Sequence, residues 1–435
     1  MSGRRILPEG ARRGWCPSLA RPMPTGDGLL ARVHPPLGRL TPAQARAVAE
    51  GARRHGNGNI DITARGNLQI RGVTPESGPA LACLLDGAGL GDVRDDGGPQ
   101  RLTLTSPLAG HDASERIDVP ALARAVEAIG LTISRLPAKT LVAIEGGGRF
   151  GLAGLEADFT LRATRPGFAA LGCAAPEGLA WTREQAAIQM PGLLGLALCV
   201  FAESGARRMR DLDDDARARV IAAAGGAGPA PDDAAEPPPQ PGRAFLSRSR
   251  SAVVVEAPFG RCDAAGFERL ADLAGTTELR LSPSRGVCLV TSAAQAAGLL
   301  AALAEAGFVT RADDPRRAVA ACPGAPACAS GTTPVPDHAA RLAGAFADFA
   351  TGGLTAHVSG CAKGCAHPGP ADLTLVGREG AYDIVLGGRP DAEPAIRLTF
   401  EAALDRVRRA QTGGVSAPGA TASAALRQAF QDDGT

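Results

Sequence analysis

Alternating and helical hydrophobic periods divide the chain into short units. LLARVHPP (29–36) alternates apolar and polar residues and predicts a strand. A helix follows: Thr41 stands at its N-cap, Pro42 sits in its first turn, and the period runs to about Gly56. NIDITARGNLQIRGV (59–73) predicts strand, turn and strand, and a second helix covers roughly 77–88. The same order returns later. SAVVVEAP is a strand, Asp263 caps a helix running to about Ala274, a strand pair follows, and Ser292 is expected to cap a helix ending near Ala306, before Gly307. Strand–helix–strand–strand–helix is a ferredoxin-like half-sheet order, so the expected class is α+β.

The recurrence is an internal duplication. NIDITARGNLQIRGV (59–73) matches TELRLSPSRGVCLVT (277–291), GPQRLTLTSPLAG (98–110) matches DPRRAVAACPGAP (314–326), and EADFTLRA (156–163) matches PADLTLVG (370–377). The offset is nearly constant, and two such half-sheets can pair across a pseudo-twofold axis. Residues 16–94 and 243–310 then form the two ferredoxin-like half-domains. Each is followed by a larger α/β unit, 95–222 and 311–411, and residues 412–435 are left as a tail. AAGGAGPAPDDAAEPPPQPG (223–242) has almost nothing apolar to bury and reads as an exposed linker.

The chemistry sits in the second copy. Cys322 and Cys328 lie in ACPGAPACASG, and Cys361 and Cys365 in HVSGCAKGCAHPG. Two Gly- and Ala-rich loops that each present two thiolates can converge on one 4Fe-4S cube, which needs four ligands. Paired zinc ligands favour two-residue gaps, absent here, and a disulfide framework suits a small secreted chain. The first copy has Ser106 where the second has Cys322, and EGGGRFGLAG where the second has GCAKGCAHPG. One copy is therefore expected to hold the cofactor while the other supplies a pocket wall.

Length adds two to four domain-sized units for 435 residues. The net charge of +1 gives no general attraction to nucleic acid, so anions must be met by locally placed Arg and Lys. The longest apolar run, Leu193–Ala202, is about half of the roughly 20 residues a membrane helix needs, and no signal peptide is visible. Cys16, Cys83, Cys173, Cys199, Cys262 and Cys288 are scattered singly and read as core residues of a reduced, cytoplasmic protein. The runs GGG (146–148) and GG (387–388) lack dinucleotide spacing, so electrons are expected from an external NAD(P)H-linked reductase or ferredoxin.

These features together resemble the sulfite and nitrite reductase superfamily. The likeness rests on the duplicated half-domains, the two cysteine pairs, the strand bearing Thr63, Arg65, Asn67 and Gln69, the TSPLAG segment and the LPAK segment, and spans about residues 16–410. Within it, WCPSLARPM and DITARGNLQIRG are most similar to the precorrin-3B synthase family of cobalamin biosynthesis.

The resemblance implies two reductase-like α/β domains, the second with the cluster. It also implies a cradle for a carboxylate-rimmed tetrapyrrole: Arg65, Arg101 and Lys139 in matching segments, with Arg71, Arg285 and Lys363 as further candidates. For a reductase the ligand would be sirohaem; for a synthase, a precorrin substrate. The reductases carry two lysines one residue apart after LP, whereas LPAKTLVA keeps Lys139 and has Leu141 at the second place. Loss of that proton donor favours the synthase reaction, an O2-dependent hydroxylation with γ-lactone closure. The synthase reading leaves room for a mononuclear non-haem iron. Of the six histidines, His34, His55, His111, His338, His357 and His367, none has a spacing that preforms such a site; His111 and His367 are the two expected to face the pocket.

Overall fold

A computed structural model describes residues 16–412 and 419–431. Trp15, the first residue of the WCPSLARPM block, lies outside the described residues. The two half-domains share one core and exchange strands. The first sheet runs Met23–Thr25, Gly28–Val33, Leu68–Val73, Asn59–Ile62, and is completed by Arg261–Asp263 from the second half. The second runs Gly242–Phe245, Arg250–Glu256, Gly286–Ser292, Leu279–Ser282, and is completed by Arg39–Leu40 from the first. Helices Pro42–His55 and Ala264–Ala274 pack on each other between the sheets, joining Val48, Ile70, Phe267 and Leu289 in one cluster. Burying those side chains, at about 1.5–3 kcal/mol each, makes the two halves one unit.

Local signals explain the helix starts. Thr41 forms a capping box with Gln44, and Asp263 accepts from Gly266 N. Ser292 is different: its hydroxyl serves Gln295 in a preceding turn, and the helix spans Ala296–Glu305. The hydrogen-bonded turn takes the polar side chain first, so the helix begins later than expected.

The larger units repeat one topology. Thr103–Thr105, Val142–Glu145 and Phe159–Arg165 are parallel neighbours, with Phe168–Ala175 antiparallel at the next position. Val319–Ala321, Ala356–Ser359, Ala371–Arg378 and Ala381–Gly388 repeat this arrangement. Each sheet is covered by its own helices and core.

Two segments carry more structure than the sequence reading gave them. The segment after Ala223 is exposed for much of its length yet strapped down: Gly228 N donates to Trp181 O at 2.9 Å, and Gly151 N and Ala153 N donate to Pro237 O and Glu236 O at 3.0 and 2.9 Å. Backbone pairing fixes it without apolar side chains. The tail contains a helix, Gly419–Gln431, whose Ala422, Leu426 and Phe430 enter the core of the second α/β unit. Its apolar spacing finds a partner only in the tertiary fold. Among the described residues no helix is long and apolar enough to cross a membrane.

Candidate functional site

The cysteine loops are built on glycine. Gly324, Gly331 and Gly360 touch one another: a Cβ on Gly360 would lie 3.2 Å from the Cα atoms of both others and 3.6 Å from Cys322 Sγ. Gly324 adopts φ 61°, a left-handed conformation that glycine takes at no steric cost. Cys328 N donates to Gly324 O at 2.7 Å, Ser359 Oγ to Cys361 O at 2.7 Å, and Gly360 N to Cys322 Sγ at 3.1 Å. An N–H aimed at sulfur is the environment a thiolate ligand needs.

Two of the four thiols, Cys322 and Cys365, are shifted by burial and by their cysteine neighbours. Burial raises the Cys322 pKa, opposed by the Gly360 and Gly324 N–H groups, and Cys328 and Cys361 raise it further. Burial likewise raises Cys365; Lys363 opposes, while Cys361, Cys322 and Cys328 add to the rise. Four neighbouring thiols on two backbone-fixed loops fit a four-iron cluster, which takes one ligand at each iron. No group of three or more His, Cys, Asp and Glu among the described residues converges to hold a single metal ion.

The first copy joins the corresponding loops differently. Asp112, equivalent to Cys328 under the offset that relates Ser106 to Cys322, accepts from Arg149 N at 2.6 Å and pairs with Arg149 Nε at 3.5 Å. A carboxylate closes in one half what thiols would close through a cofactor in the other.

The half-sheets clasp these segments crosswise. Arg71 is 3% exposed and is bound by Asp27 at 2.9 Å and Asp61 at 3.4 Å; it also donates to the carbonyl of Ala327, beside Cys328. From the other half, Arg280 donates to Pro107 O and Ala109 O at 3.1 and 3.0 Å. Arg285 donates to Ala366 O, beside Cys365, at 3.3 Å. Arg71 and Arg285 thus face the cysteine loops, and neither they nor the exposed Lys363 line the cavity described next.

A pocket of about 410 Å³ lies at the tip of the first-half hairpin, lined by Cys16, Arg32, His34, Arg65, Asn67, Arg101 and Leu141 among others. Arg101 lines it, but its guanidinium donates to Pro35 O at 3.3 Å, Gly66 O at 2.8 Å and Arg65 O, and burial pushes its pKa down to about 10. Lys139 lies between the lining residues Ala138 and Thr140, and its carbonyl accepts from Arg65 Nη1 at 3.4 Å. Arg32 meets the Cys16 thiol and the oxygen of the Gln69 amide, at 2.7 Å from Nη2. Among the described residues neither Arg32 nor Arg65 has a carboxylate salt-bridge partner.

Burial depresses the pKa of both arginines, Arg208 adding to the effect at Arg65. His34 is held well below its ordinary value by burial, then by Arg32 and Arg101, so its ring is neutral. Its Nδ1 and the Oδ1 of Asn67, which is 8% exposed, are buried and find no hydrogen-bond partner among the described residues. Such groups call for a ligand or water.

His111 and His367 do not line the pocket. His111 Nδ1 meets Arg250 Nη2 at 3.0 Å, and His367 Nε2 meets Pro370 O at 3.0 Å. Sequence reasoning passed over Arg32 and named His34 only among the six histidines; the signal was alternation, since Arg32 lies between the buried Ala31 and Val33, and His34 continues the same period just past the strand end at Val33. The isolated cysteines divide. Cys173 and Cys288 are buried, Cys262 is half-buried, Cys83 and Cys199 are exposed on helices, and Cys16 lines the pocket. A single cysteine in an apolar helix carries no mark of which face it occupies.

Residues 21–86 match the nitrite/sulfite reductase ferredoxin-like half domain. A precorrin-3B synthase from Sinorhizobium sp is 35% identical over 399 residues, 88% of this chain and 85% of the relative. A ferredoxin–nitrite reductase from Leptolyngbya laminosa is 37% identical over 143 residues, covering 31% of this chain and 28% of the relative. The structure of Mycobacterium tuberculosis NirA protein superposes with a TM-score of 0.71 at 21% identity, over 92% of this chain and 85% of that one, a likeness of fold.

Proposed function

The chain belongs to the precorrin-3B synthase family within the sulfite/nitrite reductase superfamily, and from that premise we propose that it converts precorrin-3A to precorrin-3B in cobalamin biosynthesis. One oxygen atom of O2 is inserted at the meso carbon between rings A and D, and the ring A acetate closes a γ-lactone. The second oxygen atom leaves as water, taking up two electrons and two protons. Precorrin-3A, O2 and an external NAD(P)H-linked reductase or ferredoxin are then the partners.

The observation that carries the reading is the pair of arginines without carboxylate salt-bridge partners among the described residues, Arg32 and Arg65, facing a pocket where Leu141 replaces a reductase lysine. Guanidinium groups bind carboxylates with two parallel hydrogen bonds, and a precorrin rim offers acetates and propionates. Arg65 orients one such arm. Arg101 holds the hairpin tip that presents Arg65, through the Gly66 and Arg65 carbonyls. Neutral His34 and Asn67 offer hydrogen bonds to the ligand's remaining polar atoms, and apolar Leu141 withholds a proton from the reacting edge.

Cys322, Cys328, Cys361 and Cys365 would hold a 4Fe-4S cluster. Bound there, it supplies single electrons. The hairpin Asn59–Val73 carries Arg65 at the pocket and Arg71 at the cysteine loop, so one rigid element links binding to electron supply.

The test is mass spectrometry of the product formed from precorrin-3A and a reductant under heavy-isotope O2. One labelled oxygen in the macrocycle is expected. Unlabelled product, or reductant oxidation that depends on sulfite or nitrite with a Soret band in the purified protein, would replace this reading with the sirohaem reductase one.

A further inference from the structure

The duplication exposes an arginine in a place where its twin has glycine. Gly66 and Arg285 fill the same turn position: Gly66 N closes onto Thr63 O at 2.9 Å, Arg285 N onto Ser282 O at 3.1 Å. Both are left-handed, with φ 58° and 63°. Glycine adopts that conformation freely, whereas any residue with a Cβ pays a steric cost. The first copy shows that the turn itself asks for nothing but glycine, so the Arg285 side chain must account for the strain.

That side chain runs to the cysteine loop. Its stem passes over Gly260, where an added Cβ would lie 2.8 Å from Arg285 Cδ. Its Nη2 reaches the Ala366 carbonyl, next to Cys365. Among the described residues it forms no ion pair. Asp61, the acidic group it feels, is already bound by Arg261 at 2.6 Å and Arg71 at 3.4 Å. Arg71, by contrast, reaches the other cysteine loop with its charge matched by Asp27 and Asp61.

We propose that Arg285 is a positioning residue that fixes the peptide after Cys365 and sets an unmatched positive charge beside the cluster, raising its reduction potential. The inference rests on the four cysteines being cluster ligands. Reduction adds negative charge to a centre that four thiolates already make anionic, and a nearby cation stabilises the reduced form; net charge and local hydrogen bonds are established determinants of such potentials.

The experiment uses the full chain with Arg285→Lys, Arg285→Gln and Arg285→Gly, purified anaerobically, with iron and sulfide counted and midpoints taken from electron paramagnetic resonance titrations without substrate. All three are expected to retain the parent's iron. At the parent's midpoint, the ratio of reduced to oxidised chains should fall at least threefold in the Gln and Gly variants, about 30 mV for a one-electron couple, and by less in the Lys variant. The Gly variant should melt no lower than the parent, because the backbone strain is relieved. Equal midpoints throughout would overturn the assignment. Loss of iron from the Gln variant would also overturn it, in favour of a purely structural clasp. Weakened precorrin-3A binding at an unchanged midpoint would return Arg285 to the substrate cradle. A parent chain without iron and sulfide would overturn the cluster reading itself, and this inference with it.

Discussion

Replacing Arg71 by methionine should destabilise the fold more than any other single change at the site. The guanidinium is 3% exposed and satisfies Asp27 through Nε at 3.0 Å and Nη2 at 2.9 Å, with Asp61 at 3.4 Å and the Ala327 carbonyl beyond. Methionine keeps the aliphatic volume and removes the charge, leaving two half-buried carboxylates facing each other. Breaking a buried pair in this way costs about 3–5 kcal/mol, which lowers the melting temperature by roughly 5–15 °C. Burial is the largest influence on Asp27 and raises its pKa, yet the Arg71 hydrogen bond and charge, with Thr25, bring it below the ordinary 3.8. A depressed carboxylate contributes stability above its unfolded pKa and loses it as pH falls through the folded value. The gap between parent and variant should therefore be full at pH 7 and shrink below about pH 4. Thermal melts at both pH values, with iron content as the second readout, check this. The double variant Arg71→Met/Asp27→Asn should recover part of the loss. A single variant melting within 2 °C of the parent at pH 7, with all its iron, would refute the claim that this clasp carries the cysteine loop.

Three further outcomes are expected. Cys365→Ser should lose most of its iron and sulfide; four irons retained per chain would remove Cys365 from the ligand set. Arg65→Ala should weaken precorrin binding ten- to a hundredfold, from the roughly 1.5–3 kcal/mol of a charge-assisted contact, and leave folding intact, whereas Arg101→Ala should lose a similar amount of stability because three backbone carbonyls lose their donor. Calorimetry and melts separate the two. Burial, with Asp112 and Asp118 adding and the Gly110 N–H and Arg280 opposing, pushes the Glu115 pKa up to about 7, above the ordinary 4.5. Its ionisation therefore opposes folding as pH rises from about 4.5 to 7, so Glu115→Gln should stabilise the protein at pH 8 and leave it unchanged at pH 4; equal melting shifts at both would sink that assignment.

Much of this was legible in the chain because it depends on local chemistry. Thr41 and Asp263 cap helices through bonds only three residues long, strand alternation follows from the pleat, and the duplication is a comparison of the sequence with itself. The glycines around the cysteine pairs were legible for the same reason: close backbone approach and a left-handed turn exclude a Cβ, as Gly360 and Gly324 show. Where competing local bonds existed, as at Ser292, the boundary moved.

Other features were decided only when distant segments met. The exchange of Arg39–Leu40 and Arg261–Asp263 between sheets has no local signature, because edge pairing depends on which strand the fold brings alongside. The arginines divided in the same way. Arg65, Arg71, Arg101 and Arg285 look alike as letters, yet one lines a pocket, one is neutralised by two carboxylates, one is consumed by backbone carbonyls and one lies against the loop of Cys365. A guanidinium's task is set by the charges and carbonyls within a few ångströms of it, and those are supplied by residues tens to hundreds of positions away.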